Sequence, residues 1–312
     1  MIYISHYRLK RIKIIYNRII LFIHGGAWVT GDKGRLEDLC KIYRSLGFIT
    51  VTMGYTLLRN YEEANIYRMM DEITAVIKAI KLKLIKDGFN GEKLEMVIWG
   101  SSSGGFLALA YGYGFGKNSV IPIKFLVNLS GPVILDDYYF IELVNINDTL
   151  DNVDSISINK ARKEGKVKPI TKLDEKTKQR FFIVMMMNLM LGREGAQDIN
   201  ELYNEETDEI IKGEKYNELF HKISYSFPVY YINEKTIPTL NACGGRDIVA
   251  GIGQFAYLEE KFAEYNNKNL TLVYSRYAPH YPFEIDTENG IEKIKEMNSR
   301  FTEFSEKYFT KN

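Results

Sequence analysis

Three residues that lie far apart in the chain are of the types that perform nucleophilic acyl chemistry: Ser102, Asp247 and His280. A serine hydroxyl becomes a strong nucleophile when a nearby histidine accepts its proton and a carboxylate orients that histidine. Ser102 stands at the centre of Gly100-Ser-Ser-Ser-Gly104, which fits the pattern Gly-x-Ser-x-Gly. These residue types predict cleavage of an acyl bond through a covalent serine intermediate.

Ser102 follows a short apolar run and precedes a helical pattern. The run Met96-Val-Ile-Trp99 is typical of a central strand in a parallel sheet that is covered on both faces. A sharp turn from strand to helix strains the residue at its centre and needs small neighbours, which Gly100, Gly104 and Gly105 provide. A glycine-rich turn without a catalytic role would have the same sequence pattern. The motif therefore indicates catalysis only together with a base and a carboxylate elsewhere in the chain.

The partners of Ser102 are predicted from their places after strands. The chain has four histidines, and only His280 lies in a loop straight after a late apolar run, at 270–274; the four are His6, His24, His221 and His280. Asp247 lies in the loop after the preceding run, at 237–243. Because parallel strands end at one edge of a sheet, both loops should open beside Ser102. The order Ser, Asp, His is that of Gly-x-Ser-x-Gly hydrolases, so we predict a catalytic triad.

A negative charge that develops on the substrate oxygen needs backbone amides aimed at it. The Ser103 amide, just after the nucleophile, and amides of the loop His24-Gly-Gly-Ala27 are the predicted donors. His24 itself is interpreted as an anchor of the loop rather than a second base. Trp28 follows the loop and is predicted to line an apolar acyl or aryl pocket, with interior packing as the alternative.

The remaining patterns describe the scaffold that must position these residues. Predicted strands alternate with predicted helices, which indicates an α/β fold with a mostly parallel sheet and helices on both faces. The strands are predicted at 19–23, 48–53, 96–99, 125–129, 237–243 and 270–274, and the helices at 35–46, 65–85, after Ser102, at 254–265 and at 290–308. The alternation of predicted strands and helices is interrupted over 136–227. We interpret this segment as a helical cap inserted into a core of 1–135 and 228–312. The apolar block 181–191 inside it is attributed to packing rather than to a substrate wall.

Composition restricts the partners and the location. The chain has 312 residues and is 46% hydrophobic, and its 41 Lys and Arg against 40 Asp and Glu give a net charge of +1. This balance argues against a nucleic acid or an anionic membrane as partner.

Cys40 and Cys243 are too few for a disulfide framework and lack metal-ligand spacing. No signal peptide and no apolar run of about 18 residues is found. We therefore expect a cytoplasmic protein without metal or cofactor; the oligomeric state is not indicated.

The chain resembles the α/β-hydrolase superfamily, and within it the carboxylesterases of the hormone-sensitive-lipase-like and acetyl-esterase-like group. The resemblance covers 19–135 and 228–310, and the segments that carry it in order and spacing are His24-Gly-Gly-Ala-Trp28, Gly31-Asp-Lys33, Gly100-Ser-Ser-Ser-Gly-Gly105, Gly244-Gly-Arg-Asp-Ile-Val249 and His280. It implies that Gly26, Ala27 and Ser103 supply the oxyanion-hole amides, that Gly25 allows the turn, and that the substrate is a small-molecule ester.

Two features depart from that family. Its members usually have a longer segment before the His-Gly-Gly motif that forms an antiparallel strand pair, whereas 23 residues precede His24 here, so the first strand or two could be missing. The elbow has Ser101 and Ser103 where the family more often has an acidic residue or histidine and an alanine. Because Ser103 still offers its amide, no loss of mechanism is expected.

Three functions stay open at this point. The first is hydrolysis of a small or medium carboxylic ester through an acyl-enzyme. The second uses the same residues on an amide, as in aryl-formamidases or peptidases, although no propeller-like repeat favours an oligopeptidase. The third is a non-catalytic binding protein on a hydrolase scaffold, but such a protein has no reason to keep Ser102, Asp247 and His280 together.

Overall fold

The computed structural model describes residues 3–5, 17–60, 63–136, 179–193, 195–247, 249–275, 278–281 and 290–310. Within these ranges a seven-stranded sheet contains β1 Tyr3–Ser5, β2 Arg18–Ile23, β3 Ile49–Met53, β4 Glu95–Ser101, β5 Ile123–Leu129, β8 Thr239–Gly244 and β9 Leu270–Ser275; β6 Tyr203–Asn204 and β7 Glu209–Ile210 form a separate hairpin. The strand order in the large sheet is β1-β3-β2-β4-β5-β8-β9. β1 is antiparallel to β3, and every other pair of neighbours in the large sheet is parallel.

Helices cover both faces of the sheet. They are α1 Glu37–Ser45, α2 Ile66–Lys86, α3 Ser103–Tyr113, α4 Gln179–Met190, α5 Glu214–Ser224, α6 Ile252–Glu264 and α7 Gly290–Tyr308. Alternate residues of β2 face opposite cores: Ile19, Leu21 and Ile23 join the core of α2 and α3, and Ile20 and Phe22 join that of α1 and α7. Strands that bury both faces read as unbroken apolar runs, which is why the sequence locates them.

The helix α7 is attached to the sheet through aromatic rings. The Phe301 ring lies 4.8 Å from that of Tyr43, 5.3 Å from that of Trp99 and 5.5 Å from that of Phe125, measured between centroids. Phe301 is 2% exposed. Burial of a side chain of this size contributes roughly 1.5–3 kcal/mol, and each ring pair adds about 0.5–1.5 kcal/mol. This aromatic cluster holds α7, the helix that follows His280 in the chain, against the sheet.

The predicted fold class is confirmed: the sheet is mainly parallel, and strands and helices lie where the apolar patterns place them. Among the described residues, one antiparallel strand, β1, precedes β2 and pairs with β3 at the edge of the sheet. The hairpin of β6 and β7 was missed, because strands of two residues are too short to produce an alternating pattern.

Part of the predicted cap, 137–178, lies outside the described residues. Of the rest, α4 buries Met186, Met187 and Met190 in the same core as α2 and α3. The apolar block 181–191 therefore contributes to packing between this segment and the sheet. The division into core and cap stays a prediction.

No described helix is both long enough and apolar enough to cross a bilayer. Cys40 and Cys243 are buried and carry free thiols. Burial raises the pKa of the Cys40 thiol to about 11. A cytoplasmic location stays a prediction from composition.

Candidate active site

Ser102 occupies the tight turn between β4 and α3. Its backbone angles are φ 53° and ψ −125°, a left-handed region that non-glycine residues seldom adopt. Such a conformation costs of order 1–3 kcal/mol and is found mostly at functional sites. The Ser102 amide donates to the carbonyl of Leu129 at the end of β5, at 2.8 Å, which fixes the turn at the carboxyl edge of the sheet.

A close approach of two backbones makes this turn possible. A Cβ atom on Gly104 would lie 2.3 Å from the carbonyl oxygen of Ile23 and 2.5 Å from that of His24, so no side chain fits there. α3 therefore begins in direct contact with the end of β2. The loop after β2 and the first turn of α3 consequently lie side by side.

The structure brings the three predicted triad residues together. Nε2 of His280 lies 2.9 Å from Oγ of Ser102, and Nδ1 of His280 lies 2.9 Å from Oδ2 of Asp247. The Asp247 residue is 1% exposed and Ser102 is 8% exposed. The side chain of His280 is 13% exposed, so the imidazole is in contact with solvent.

The Asp247 carboxylate is held in one orientation. Its Oδ1 accepts hydrogen bonds from the amides of Val249, at 2.8 Å, and Ala250, at 2.9 Å. Oδ2 is then left facing Nδ1 of His280, whose N–H donates to it. This tautomer leaves Nε2 as an acceptor for the Ser102 proton, which is the arrangement that general-base catalysis requires.

The loop after β2 lies against Ser102. A Cβ atom on Gly25 would lie 3.0 Å from Cβ of Ser102, so the loop and the elbow touch. Ala27 has φ 49° and Trp28 has φ 59°, so two consecutive non-glycine residues are strained here as well. In the described part of the chain, no group accepts from the amides of Gly26 and Ala27. These amides and that of Ser103 are available to an oxyanion, and their catalytic role stays a prediction.

His24 is buried beside this loop, 3% exposed, and among the described residues its ring makes no hydrogen bond to Ser102. Its Nδ1–H donates to the carbonyl of Gly25 at 2.8 Å. The imidazole stacks on the ring of Tyr55, with 4.4 Å between centroids. Burial lowers the pKa of His24, an effect only partly offset by the bond to Gly25. The contacts match an anchor of the loop.

Tyr55 belongs to the site and was missed by the sequence reasoning. Its hydroxyl donates to the carbonyl of His24 at 3.1 Å and lies 3.3 Å from Oγ of Ser103. The signal that could have found it is its place two residues after β3, at the edge where β2 and β4 also end. Polar residues at that edge of parallel strands are candidates for the site.

Trp28 lies in the interior. It is 3% exposed, and its ring packs edge-on against Phe106 of α3 at 5.3 Å. Its Nε1–H has no acceptor among the residues that the structure describes. The observed contacts are those of packing, and contact with substrate stays a prediction.

Two apolar side chains adjoin the triad at the surface. Val249, next to the Asp247 turn, is 46% exposed, and Tyr281, next to the imidazole, is 52% exposed. The Tyr281 ring lies 5.2 Å from that of His280.

In the described ranges no group of three or more His, Cys, Asp or Glu side chains could hold a metal ion.

The chain matches a known protein family over most of its length. The sequence profile of the BD-FAE family matches residues 9–262, which include Ser102 and Asp247. The chain belongs to the BD-FAE family. BD-FAE is an α/β-hydrolase-like esterase family, so the resemblance to that superfamily and the expectation of an ester-hydrolase class are confirmed at the level of the family. His280 lies beyond the matched BD-FAE region and is placed by the structure. No curated protein sequence matches the chain.

Solved esterases share the fold of this BD-FAE chain. Esterase 2 of Thermogutta terrifontis with butyrate bound is 13% identical, with a TM-score of 0.60, and the alignment covers 100% of this chain and 91% of that one. Esterase B of Lactobacillus rhamnosis is 15% identical, with a TM-score of 0.58 and coverage of 95% and 80%. A truncated carbohydrate esterase from gut microbiota is 16% identical, with a TM-score of 0.58 and coverage of 98% and 90%. At these identities the likeness shows the fold.

Proposed function

We propose that this protein is a serine esterase that cleaves a small or medium carboxylic ester through an acyl-enzyme intermediate. The observation that carries the proposal is the unbroken hydrogen-bond chain from Asp247 through His280 to Ser102. It lies at the carboxyl edge of the sheet, beside the loop after β2, whose backbone at Gly25 approaches Ser102.

In this proposal each group has a role. Oγ of Ser102 attacks the acyl carbon while Nε2 of His280 takes the hydroxyl proton. The carbonyl electrons move onto the oxygen, where the amides of Gly26, Ala27 and Ser103 stabilise the negative charge. As the intermediate collapses, the bond to the alcohol oxygen breaks and His280 returns the proton to that oxygen. Water then attacks the acyl-enzyme by the same route and releases the acid.

Two observations support a short or medium acyl group. Esterase 2 of Thermogutta terrifontis, which shares the fold, is known with butyrate and with propionate bound. In this chain Val249 and Tyr281 place apolar surface at the mouth of the site, where the organic parts of an ester can make contact. In this proposal Trp28 forms the interior wall of the apolar pocket that receives the acyl or aryl group.

The test is hydrolysis of p-nitrophenyl acetate, butyrate and octanoate, with an aryl formamide in the same panel. Turnover of the short esters that disappears in Ser102→Ala supports the proposal, and Ser101→Ala is the matched control because Ser101 ends β4 one residue before the turn. A fluorophosphonate probe should label the wild type and the control but not Ser102→Ala. Faster cleavage of the formamide would favour the amide hydrolase, and folded protein without labelling would favour the binding protein.

A further inference from the structure

We propose that Tyr55 is a positioning residue that joins the two halves of the oxyanion hole through a single hydroxyl group. The inference rests on the proposed function, since it concerns the amides that would stabilise the oxyanion. It is carried by two hydrogen bonds of Tyr55: one to the loop after β2 and one to the first residue of α3.

The direction of these bonds follows from the groups. The His24 carbonyl can only accept, so the Tyr55 hydroxyl donates its proton to it at 3.1 Å. Oη of Tyr55 then accepts from the Ser103 hydroxyl, whose oxygen lies 3.3 Å away. The result is a directed chain from Ser103 through Tyr55 to His24.

Each end of this chain controls one set of amides. The His24 carbonyl belongs to the peptide that enters Gly25, so its orientation sets the plane in which the loop with Gly26 and Ala27 begins. Ser103 carries the amide that follows the nucleophile. An oxyanion hole stabilises charge only when its donors are held about 2.7–3.1 Å from the oxyanion, so their mutual placement decides its strength.

The surroundings of Tyr55 make it a fixed connector. Tyr55 is 7% exposed, and its ring stacks on the His24 imidazole at 4.4 Å. Burial raises the pKa of the Tyr55 phenol to about 12, so the proton is available for donation at neutral pH.

The experiment compares Tyr55→Phe, Ser103→Ala and the double variant. Tyr55→Phe keeps the stacked ring and removes only the hydroxyl, and Ser103→Ala keeps the backbone amide. Tyr113→Phe is the matched control: it removes another buried tyrosine hydroxyl, bonded to Oγ1 of Thr239 at 2.7 Å, from the far end of α3. The readouts are kcat and KM for p-nitrophenyl butyrate, the dissociation constant of an aryl trifluoromethyl ketone, and the melting temperature.

For Tyr55→Phe we expect kcat to fall about tenfold with KM within twofold, less than the roughly 100-fold loss that removal of a donor causes. The trifluoromethyl ketone, whose hemiketal with Ser102 carries an oxyanion, should bind weaker by the same factor. Ser103→Ala should lower kcat about threefold alone and not at all in the Tyr55→Phe background, because both changes break one chain. Tyr113→Phe should keep kcat and ketone binding.

Unchanged kcat and ketone affinity in folded Tyr55→Phe would overturn the inference while wild-type turnover keeps the proposed function intact. A fall in melting temperature with no change in kcat would overturn it as well, since that is a structural role only. If Tyr55→Phe does not fold, the Ser103→Ala variant tests the inference instead. An unchanged kcat in Ser103→Ala would then overturn it. A folded wild type that neither turns over esters nor reacts with a fluorophosphonate overturns the proposed function and this inference with it.

Discussion

Nε2 of His280 lies 2.9 Å from Oγ of Ser102, although 178 positions separate the two residues in the chain. The contact exists because β4 and β9 run parallel in one sheet and the loops that follow them open at the same edge. Asp247 reaches His280 from the loop after β8, the strand next to β9. The order of the strands in the sheet therefore brings Ser102 and Asp247 within hydrogen-bond distance of His280.

The triad should act as a unit. Ser102→Ala and His280→Ala should each lower kcat by about 10⁴-fold or more, and the double variant should lose little beyond either single one, because the hydroxyl and the base work in the same step. His221→Ala, at an exposed position on α5, is the control and should keep its activity. Losses that multiply in the double variant would show that the two residues act separately.

Asp247→Asn should reduce kcat by about 10⁴-fold with little change in stability. The amide oxygen can still accept from Val249 and Ala250, but the amide nitrogen then faces Nδ1 of His280 and favours the wrong tautomer. The measurement is kcat together with a melting curve. Asp38→Asn, on the exposed surface of α1, is the control, and a loss below tenfold in Asp247→Asn would contradict the assigned role.

Gly104→Ala should destabilise the fold by more than about 2 kcal/mol, since its Cβ would meet two backbone carbonyls that cannot move apart. Gly213→Ala is the matched control because nothing lies within 4 Å of a Cβ there, and its effect should stay within about 1 kcal/mol. Urea unfolding of both variants measures the difference. Equal effects would mean that the contact of α3 with β2 is not tight.

Trp28→Phe tests the interior position of this residue. The change keeps a ring against Phe106 and removes a buried N–H that has no acceptor in the described residues. Loss of ring volume and relief of the unpaired group oppose each other, so the free energy of unfolding should change by less than about 2 kcal/mol. The ratio of kcat/KM for butyrate and octanoate esters decides its role: a constant ratio means packing, and a changed ratio means contact with the acyl chain.

The buried His24 should make stability depend on pH. Its pKa is lowered from 6.5 by burial, so between the folded value and 6.5 the unfolded chain binds more protons. The free energy of unfolding therefore rises with pH in that window and falls as the pH drops below about 6.5. His24→Phe, which keeps a ring against Tyr55, should be less stable at neutral pH but show a shallower slope between about pH 7 and pH 5. An identical slope would assign the dependence to other groups.

Most of the elements that the sequence located bury either a run of apolar residues or a periodic apolar face. β2 and β4 contain apolar runs because both faces of the sheet are covered there, β5 buries the stretch 125–128, and α2 repeats its apolar residues with the helical period. β6 and β7 escaped because two residues carry no period. Residues 137–178 of the predicted cap lie outside the described ranges, so the division into core and cap stays a prediction.

The sequence by itself determined which groups are present and at which strand ends they stand: Ser102 in a glycine elbow, Asp247 and His280 in late loops. Local spacing and the shared edge of parallel strands are enough for that. Only the tertiary structure decided that Tyr55 touches both His24 and Ser103, and that Trp28 points into the core against Phe106. The physical reason is that those contacts depend on the order β3-β2-β4 and on backbone angles in single loops, which are fixed by packing between distant segments.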